Sequence, residues 1–490
     1  MAKEKTQELA LSVKKSEDIS KWYTEVIQKA DLIEYTDVAG CMIFKPNSYQ
    51  IWEKIQAFLD GKIKEMGVKN AYFPLLIPKK LLCKEEDHVE GFAPEVAWVD
   101  YGGDTKLGER LAIRPTSETI MYDAYSKWIQ SYRDLPLKMN QWCNIVRWEF
   151  KHPTPFLRNR EFLWQEGHTV FETKEEADKD VLEALEAYRA TYEDLLALPV
   201  TLGRKSVGEK FAGADYSYTA EPFSAVDGKA IQACTSHHLG QNFAKAFNIT
   251  FLDKNQKKQY VYQNSWGLST RSIGAMIMIH GDDRGLVIPP RAASQKVVIV
   301  PLLFKGKEEL VLNKAKEIQE ILGKEINAII DDRNNVSAGF KFNEWELKGI
   351  PIRIEIGPRD LEENKVIIAR RDLTEKKSID LKKDLKDFKK VIEKELEDMH
   401  NAIFEKAKKA MEDVTVEITD FKSFEKAINE GKRCLVPWAE SKKSEDEIKE
   451  KIGVKSSCIP FKYKDKSLKG VNCFYSGKPA TCWAYFCKSH

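Results

Sequence analysis

CNIVRWEFKHPTPFLRNREFLWQEGHTV, residues 143–170, holds two aromatic-rich runs joined by a basic connection that contains two prolines. Each run reads as a strand, because aromatic and β-branched residues suit a pleated, half-buried surface. Side chains alternate along a strand. That predicts Val146, Trp148 and Phe150 on one side, and Arg147 and Glu149 on the other. On the returning run Phe162, Trp164, Glu166 and His168 share a face at spacing two. The stiffened connection carries Lys151, His152, Arg158 and Arg160. Ion pairs decorate many exposed sheet faces, but a solvated face seldom places Trp and Phe among such charges. Separate helices and hairpins from Asp31 to about Arg291 predict an α+β core on an antiparallel sheet.

Three neighbouring segments add chemistry to that hairpin. In IRPTSETIMYDAYSKWI, residues 113–129, a strand ends at Arg114–Pro115 and Thr116 reads as the N-cap of a helix. Glu118 then falls in the first turn, where its charge suits the helix dipole, and capping alone accounts for both residues. In IQACTSHHLGQNF, residues 231–243, Cys234 beside His237 or His238 hints at a metal. Adjacent histidines point apart on a strand and no fourth ligand is near, so Gln232, Thr235 and His237 read instead as polar site residues. In NSWGLSTRSIGAMIMIHGDDRG, residues 264–285, a strand turns at Gly267 and Ser269 or Thr270 caps a helix running to about His280. Arg271 thereby sits in a first turn whose free N–H groups favour an anion.

Upstream, residues 16–35 read as an amphipathic helix with Ile19, Trp22, Tyr23, Val26 and Ile27 on one face, and residues 47–67 as a second helix. After Pro289–Pro290 strands alternate with helices: strands at 296–304, 326–332, 351–357 and 365–372, helices at 308–322 and 340–349. This is an open α/β pattern. A long charged helix follows over 379–413, its stripe formed by Leu381, Leu385, Phe388, Ile392, Leu396, Met399 and Ile403. The residues after 413 read as a small α+β tail. The expected units are 1–295, 296–395 and 396–490. No GxxxxGK[ST] loop occurs and no GxGxxG follows a strand, so side chains must hold any nucleotide.

With 78 Lys plus Arg against 76 Asp plus Glu, the net charge of +2 argues against nucleic-acid binding by bulk electrostatics. The apolar run 297–304 is far too short to span a membrane. The first 15 residues lack the apolar core of a secretion signal, and nine scattered cysteines suit a reducing compartment, so a cytosolic location is expected.

Taken together, RPTSET, VRWEFKHPTPFLRNREFLWQEGH, CTSHHLGQNF, YQNSWGLSTR and WELKGIPIRIEIGPRD resemble the signature segments of class II aminoacyl-tRNA synthetases. The likeness is close to the prolyl-tRNA synthetase family of eukaryotic and archaeal type, and it runs from roughly Asp18 to the C-terminus. The resemblance implies activation of L-proline with ATP and transfer to the 3′ end of tRNA(Pro). It implies that Arg147 clamps the carboxylate and α-phosphate, that Glu149 and Arg158 lie on the ATP side, and that Phe162 stacks on adenine. Arg271 corresponds to the motif 3 arginine, Gln232 and Thr235 hold the nucleotide, and Ser269 keeps the hydroxyl of a usual threonine. Thr116 and Glu118 would accept from the proline ring nitrogen, with Trp164, Glu166, His168, Phe211 and His237 boxing the ring. Mg²⁺ would bridge the phosphates near Gln232 and Glu149.

By the same resemblance residues 296–395 form an anticodon-binding domain, with Trp345, Lys348, Arg353 and Arg359 as candidates to meet tRNA. Homodimerisation near Tyr72–Pro78 and sensitivity to halofuginone are also implied. The bacterial editing insertion is not expected, since Glu166 to Arg271 is filled by family-like sequence. Many relatives hold zinc in the tail with four cysteines; here Cys434 and Cys473 remain while their mates read as Ala439 and Tyr475. Cys458, Cys482 and Cys487 are the alternative thiols, yet Trp483, Tyr485 and Phe486 among them suggest packing. A zinc-free tail is the expectation. The chain ends in His490 where the family pattern ends in tyrosine, which questions a terminal contribution to the site.

Overall fold

The computed structural model describes residues 10–86 and 95–490, and the first nine residues, on which the leader expectation partly rests, lie outside it. The two strands of the deciding hairpin are Leu137–Val146 and Glu161–Phe171, paired antiparallel with Cys143 opposite Trp164 and Gln141 opposite Glu166. Tyr262–Ser269 pairs with the second strand, then follow Cys234–Gly240, Tyr216–Glu221 and Thr201–Arg204, each antiparallel to its neighbour. The antiparallel core is as the sequence predicts.

Cross-strand register explains why one face becomes a site. Ser217, His237, Ser265 and His168 form one row across four strands, and Thr235, Gly267 and Glu166 the row beside it. The opposite face, where Trp266 and Leu268 sit among the buried polar Gln165, Thr169, Ser236 and Asn264, lies under the helix Lys174–Ala190, whose N-terminus carries a Thr173–Glu176 capping box. There Trp266 crosses directly over Gly167, and a Cβ at Gly167 would stand 2.4 Å from the indole ring.

The helix Ile19–Lys29 buries Trp22, Tyr23, Val26 and Ile27 as expected. It ends sooner than the pattern suggests, because Asp31 takes a left-handed φ of 61° and Ile33–Tyr35 pairs with Met42–Phe44. The helix Pro46–Glu65 starts on a proline at its first turn, where no N–H is needed, and buries Ile51, Trp52, Ile55, Leu59 and Ile63.

A second sheet of five strands follows: Ala328–Ile330, Val297–Pro301, Ile352–Ile356, Lys365–Arg370 and Lys376–Asp380 in spatial order. The first three are parallel, as helix-linked strands must be. The strand Lys376–Asp380 corrects the long-helix reading, since Ile379 belongs to it and Leu381 and Leu385 to two short turns. The long helix is Phe388–Asp413, and it buries Phe388, Ile392, Leu396, Met399 and Ile403. Arg371 clamps Asp282 through two bonds of 2.8 and 2.5 Å, and Arg284 meets Glu346 at 2.6 Å, tying this unit to the core.

The tail strands do not form a separate sheet. Lys455–Pro460 pairs with Thr201–Arg204, and Cys482–Ser489 pairs with Lys229–Ala230, so the tail extends the core sheet.

Two outcomes follow from this packing. Gly167→Ala should destabilise by about 2 kcal/mol or more, since Trp266 is 2% exposed and has no room to yield. Gly61→Ala, mid-helix with nothing near its Cβ, should instead stabilise by about 0.5–1 kcal/mol; denaturant titration distinguishes the two. His280 and His400 both sit buried where the long helix meets the core, and burial lowers each pKa to about 4. Unfolded histidine takes its proton near 6.5, so between those values the unfolded chain binds more protons and stability falls as pH drops. His400→Leu should therefore flatten the stability–pH slope between about 6.5 and 4 by close to one proton, about 1.4 kcal/mol per pH unit.

Candidate active site

The face built by those rows opens into a cleft of ≈ 790 Å³. It is lined by Thr116, Glu118, Arg147, Glu149, Arg158, Phe162, Trp164, Glu166, His168, Phe211, Gln232, Thr235, His237, Ser269 and Arg271. The residues expected at the amino-acid and nucleotide positions thus come together in one place. Spacing of two along Glu161–Phe171 does place Phe162, Trp164, Glu166 and His168 on this cleft.

At one end the cleft is built around Glu166, which is 1% exposed. Its carboxylate accepts from the Ser117 amide at 3.1 Å, the Ser117 hydroxyl, Gln141 Nε2 at 3.0 Å and His168 Nε2 at 3.1 Å. Burial pushes the Glu166 pKa up, but the bonds from His168, Ser117 and Gln141 outweigh it and hold the carboxyl below its usual range. Burial works against a charge on His168 too, yet Glu166 and Glu118 together raise its pKa above the ordinary value. Two carboxylates converge on one imidazole, so this end favours a cation.

The helix here begins at Glu118, not after a Thr116 cap. Ser117 holds the cap position but turns its hydroxyl to Glu166, and Thr116 donates its own to the Glu118 carboxylate. A charged acceptor outcompetes a backbone amide for these hydroxyls.

The other end is positive. Arg147 is held by Nε donating to Pro115 O at 3.0 Å, with its guanidinium 5.7 Å from the Phe162 ring centre and 5.4 Å from that of Trp164. Arg271 donates to Leu157 O at 2.9 Å and Gln232 O at 3.1 Å. Its pKa falls to about 10, first through burial and then through the positive Arg147 and Arg158 facing it. Three guanidiniums converge, and among the described residues none has an acidic partner, which suits a polyanion.

The loop from 151 to 160 is held by a Thr154–Arg158 bridge, the buried Phe156 at φ 61°, and Tyr23 donating to Pro155 O at 2.8 Å. Of its four basic residues only Arg158 lines the cleft; Arg160 braces the loop through Phe150 O. The strand alternation expected through Phe150 stops at Val146, where Arg147 and Arg160 pair and the chain turns. Phe150 consequently lines the same cleft as Arg147 and Glu149. Arg271 opens the helix Arg271–His280, and the Ser269 hydroxyl accepts its amide at 3.2 Å. His237 and His238 point apart as expected: His237 lines the cleft while His238 stacks on Tyr216 behind the sheet.

Sequence reasoning missed Ser117, Gln141, Ser217 and Ser265. Ser265 was within reach, being two and four residues before Gly267 and Ser269 on the same strand, and its buried hydroxyl has no partner among the described residues. Gln141 and Ser217 depend on strand register, which no short motif reveals. Lys205 and His490 also line the cleft, so the terminal residue does reach it. Both oxygen donors expected beside a divalent ion, Glu149 and Gln232, are exposed to the cleft, and such hard donors fit a hydrated cation.

The four anticodon candidates are not gathered together. Arg353 lines a cleft of ≈ 150 Å³ with Arg284, Arg370, Arg371, Lys376 and Glu346. Trp345 donates to Asp331 at 2.8 Å, Lys348 pairs with Glu344 over the Trp345 ring, and Arg359 lies outside that cleft.

Comparison with known proteins follows the same division. Residues 98–280 match the class II tRNA synthetase core domain (G, H, P, S and T), residues 296–395 an anticodon-binding domain, and residues 421–490 the C-terminal domain of prolyl-tRNA synthetase. The cytoplasmic proline–tRNA ligase of Arabidopsis thaliana is 48% identical, covering 98% of this chain and 91% of the relative. Proline–tRNA ligase 2 of Clostridioides difficile is 48% identical over the full length of both. The mouse bifunctional glutamate/proline–tRNA ligase is 47% identical over 99% of this chain, which spans a third of that longer protein. Among the described residues no helix is long and apolar enough to cross a membrane. With such relatives aligned along its whole length, the chain belongs to the proline–tRNA ligases of the class II aminoacyl-tRNA synthetases.

Proposed function

We propose that the cleft joins L-proline to ATP at its two oppositely charged ends and that the chain then transfers the prolyl group to the 3′-terminal adenosine of tRNA(Pro). The observation that carries this is the polarity of the cleft: Glu118, Glu166 and His168 at one end, Arg147, Arg158 and Arg271 at the other. A zwitterionic amino acid sets its ring NH₂⁺ on Glu118 and Thr116, and its carboxylate toward Arg147. Trp164, Phe211 and His237 wall the apolar ring, and Glu166 with His168 fixes the floor.

The reaction is attack of that carboxylate on the ATP α-phosphorus with pyrophosphate leaving, and its catalysis is positioning plus charge neutralisation. Arg147 spans both reactants with a guanidinium fork, which matches carboxylate and phosphate geometry. Arg271 and Arg158 hold the phosphates, Phe162 and Arg271 sandwich the adenine, and Gln232, Thr235 and Ser269 bond the nucleotide. Mg²⁺, held by water and oxygen from Glu149 and Gln232, would neutralise phosphate charge when bound.

Residues 1–295 serve as the catalytic unit, 296–395 as the anticodon-binding unit and 396–490 as the C-terminal unit. Trp345, Lys348, Arg353 and Arg359 are the candidates for anticodon contact, and the basic cleft beside Arg353 supports the last but one of these. Exposed Tyr72 and Leu76 support pairing of two copies through that segment, and the cytosol is the expected location.

Amino-acid-dependent ATP–pyrophosphate exchange over all twenty amino acids should single out proline. In Arg147→Ala that exchange should fall about 10²-fold or more, as one charge-assisted clamp in a closed site is lost; near-normal exchange would remove Arg147 from the mechanism. The tail is proposed to fold without zinc. Tyr475, in the place of a ligand, bonds Lys451 at 2.7 Å and Glu447 at 2.8 Å, and among the described residues no three ligand atoms converge in the tail. Metal analysis of protein purified without chelator should find far less than one zinc per chain, and a full equivalent would overturn the zinc-free reading.

A further inference from the structure

Ser217 is fully buried beneath the cleft and stands opposite His237 on the neighbouring strand. None of the roles above uses it. Its Oγ is 3.0 Å from the Phe211 amide nitrogen and 2.7 Å from His237 Nδ1. The amide can only donate, so Ser217 Oγ accepts there. That leaves the sense of the bond to His237 to be decided by proton count.

If His237 Nδ1 carried the ring proton, Ser217 Oγ would accept twice and its own hydroxyl proton would have no acceptor. Among the described residues Ser217 Oγ has no further partner, and an unspent buried donor is the costly case. If Ser217 donates to Nδ1, every proton is used: the amide to Oγ, the hydroxyl to Nδ1, and the ring proton sits on Nε2. The Phe211 ring stacks on the imidazole at 4.7 Å between centres and 30° between planes, fixing its plane as well as its edge. Burial, with the positive His168 and Lys205 nearby, lowers the His237 pKa to about 3, so a single ring proton is there to be placed.

We propose that Ser217 is a positioning residue, holding His237 with Nδ1 unprotonated so that Nε2–H faces a carboxylate or carbonyl oxygen of the amino acid in the cleft. This deepens the functional reading above, since it rests on His237 walling the amino-acid end. The logic is that of a histidine whose working nitrogen is set by the hydrogen bond the other makes.

The test joins a spectroscopic and a kinetic reading of the full chain. With ¹⁵N-histidine labelling, and the His237 signal identified by its loss in His237→Asn, the wild type should show the Nε2–H tautomer. Ser217→Ala should mix the tautomers and raise KM for proline in ATP–pyrophosphate exchange about 5- to 20-fold, the scale of one hydrogen bond, with KM for ATP held within about two-fold. Ser217→Thr, which keeps the hydroxyl, should restore both readings. An Nδ1–H tautomer in the wild type overturns the proposal without any variant having to fold. So does a Ser217→Ala variant with unchanged tautomer and unchanged KM, or a Ser217→Thr variant as impaired as Ser217→Ala. Absence of proline-dependent exchange in the wild type would instead sink the functional reading, while the tautomer assignment stands or falls on its own.

Discussion

The carboxylate of Glu166, buried among five hydrogen-bond donors, is the interaction on which the cleft depends. It joins the strand Glu161–Phe171 to Gln141 on the next strand and to Ser117 at the start of the helix Glu118–Trp128. A buried charge is expensive unless every lone pair is met, and here the donors come from separate chain segments. Satisfying this one group therefore fixes a helix entry, a strand register and the His168 ring at once. Thr116 and Glu118 are placed as a by-product, because Ser117 between them is pinned. Removing the carboxylate would loosen parts of the cleft that never touch it.

The same constraint sets the electrostatics. The pKa of His168 is raised by two carboxylates against the effect of burial, while that of His237, one row position away across the strand Tyr262–Ser269, is lowered by burial and by nearby positive charge. Two imidazoles facing one cavity thus shift in opposite directions because their partners differ. At the opposite end Arg147 and Arg158 repel Arg271, and among the described residues no carboxylate pairs with any of the three. Such repulsion costs stability, and a bound polyanion would relieve it. Separation of the two charged ends also orients a zwitterion before any specific contact forms.

Much of this was legible in sequence, and the limit has a physical form. Alternation along one strand gave Phe162, Trp164, Glu166 and His168 together, because a period of two is local geometry. It failed past Val146, where the chain leaves the ladder and Phe150 swings onto the side of Arg147. The cap assigned to Thr116 failed for a different reason: its hydroxyl turned to the Glu118 carboxylate, and the hydroxyl of Ser117, which holds the actual cap position, was captured by the buried Glu166, distant in sequence. Ser217 and Gln141 were invisible since their importance arises from cross-strand partners, and register is settled by the whole sheet. The start of the long helix was misread because Ile379 and Leu381 continue an apolar stripe that strand pairing with Val366 interrupts.

That dependence on register extends to the tail. Lys205 lines the cleft, and its ammonium bonds the Glu221 carboxylate on one side and Ser457 O of the tail at 2.9 Å on the other. Burial opposes its charge, and Glu221 more than compensates, raising the pKa above the ordinary lysine value. Ser457 returns a hydroxyl bond to Glu221, Arg204 grips Glu440 at 2.6 Å, and Ser206 meets Glu445 at 2.7 Å. These ties flank the backbone pairing of Ile459 with Arg204, so the tail strand cannot slip without unpairing buried charges. A wall of the cleft is therefore held by residues some 240 positions away, Ser457 from Lys205 being 252. The tail is then part of the scaffold that keeps Lys205 beside His237, and its packing and the charge state of the cleft are one problem.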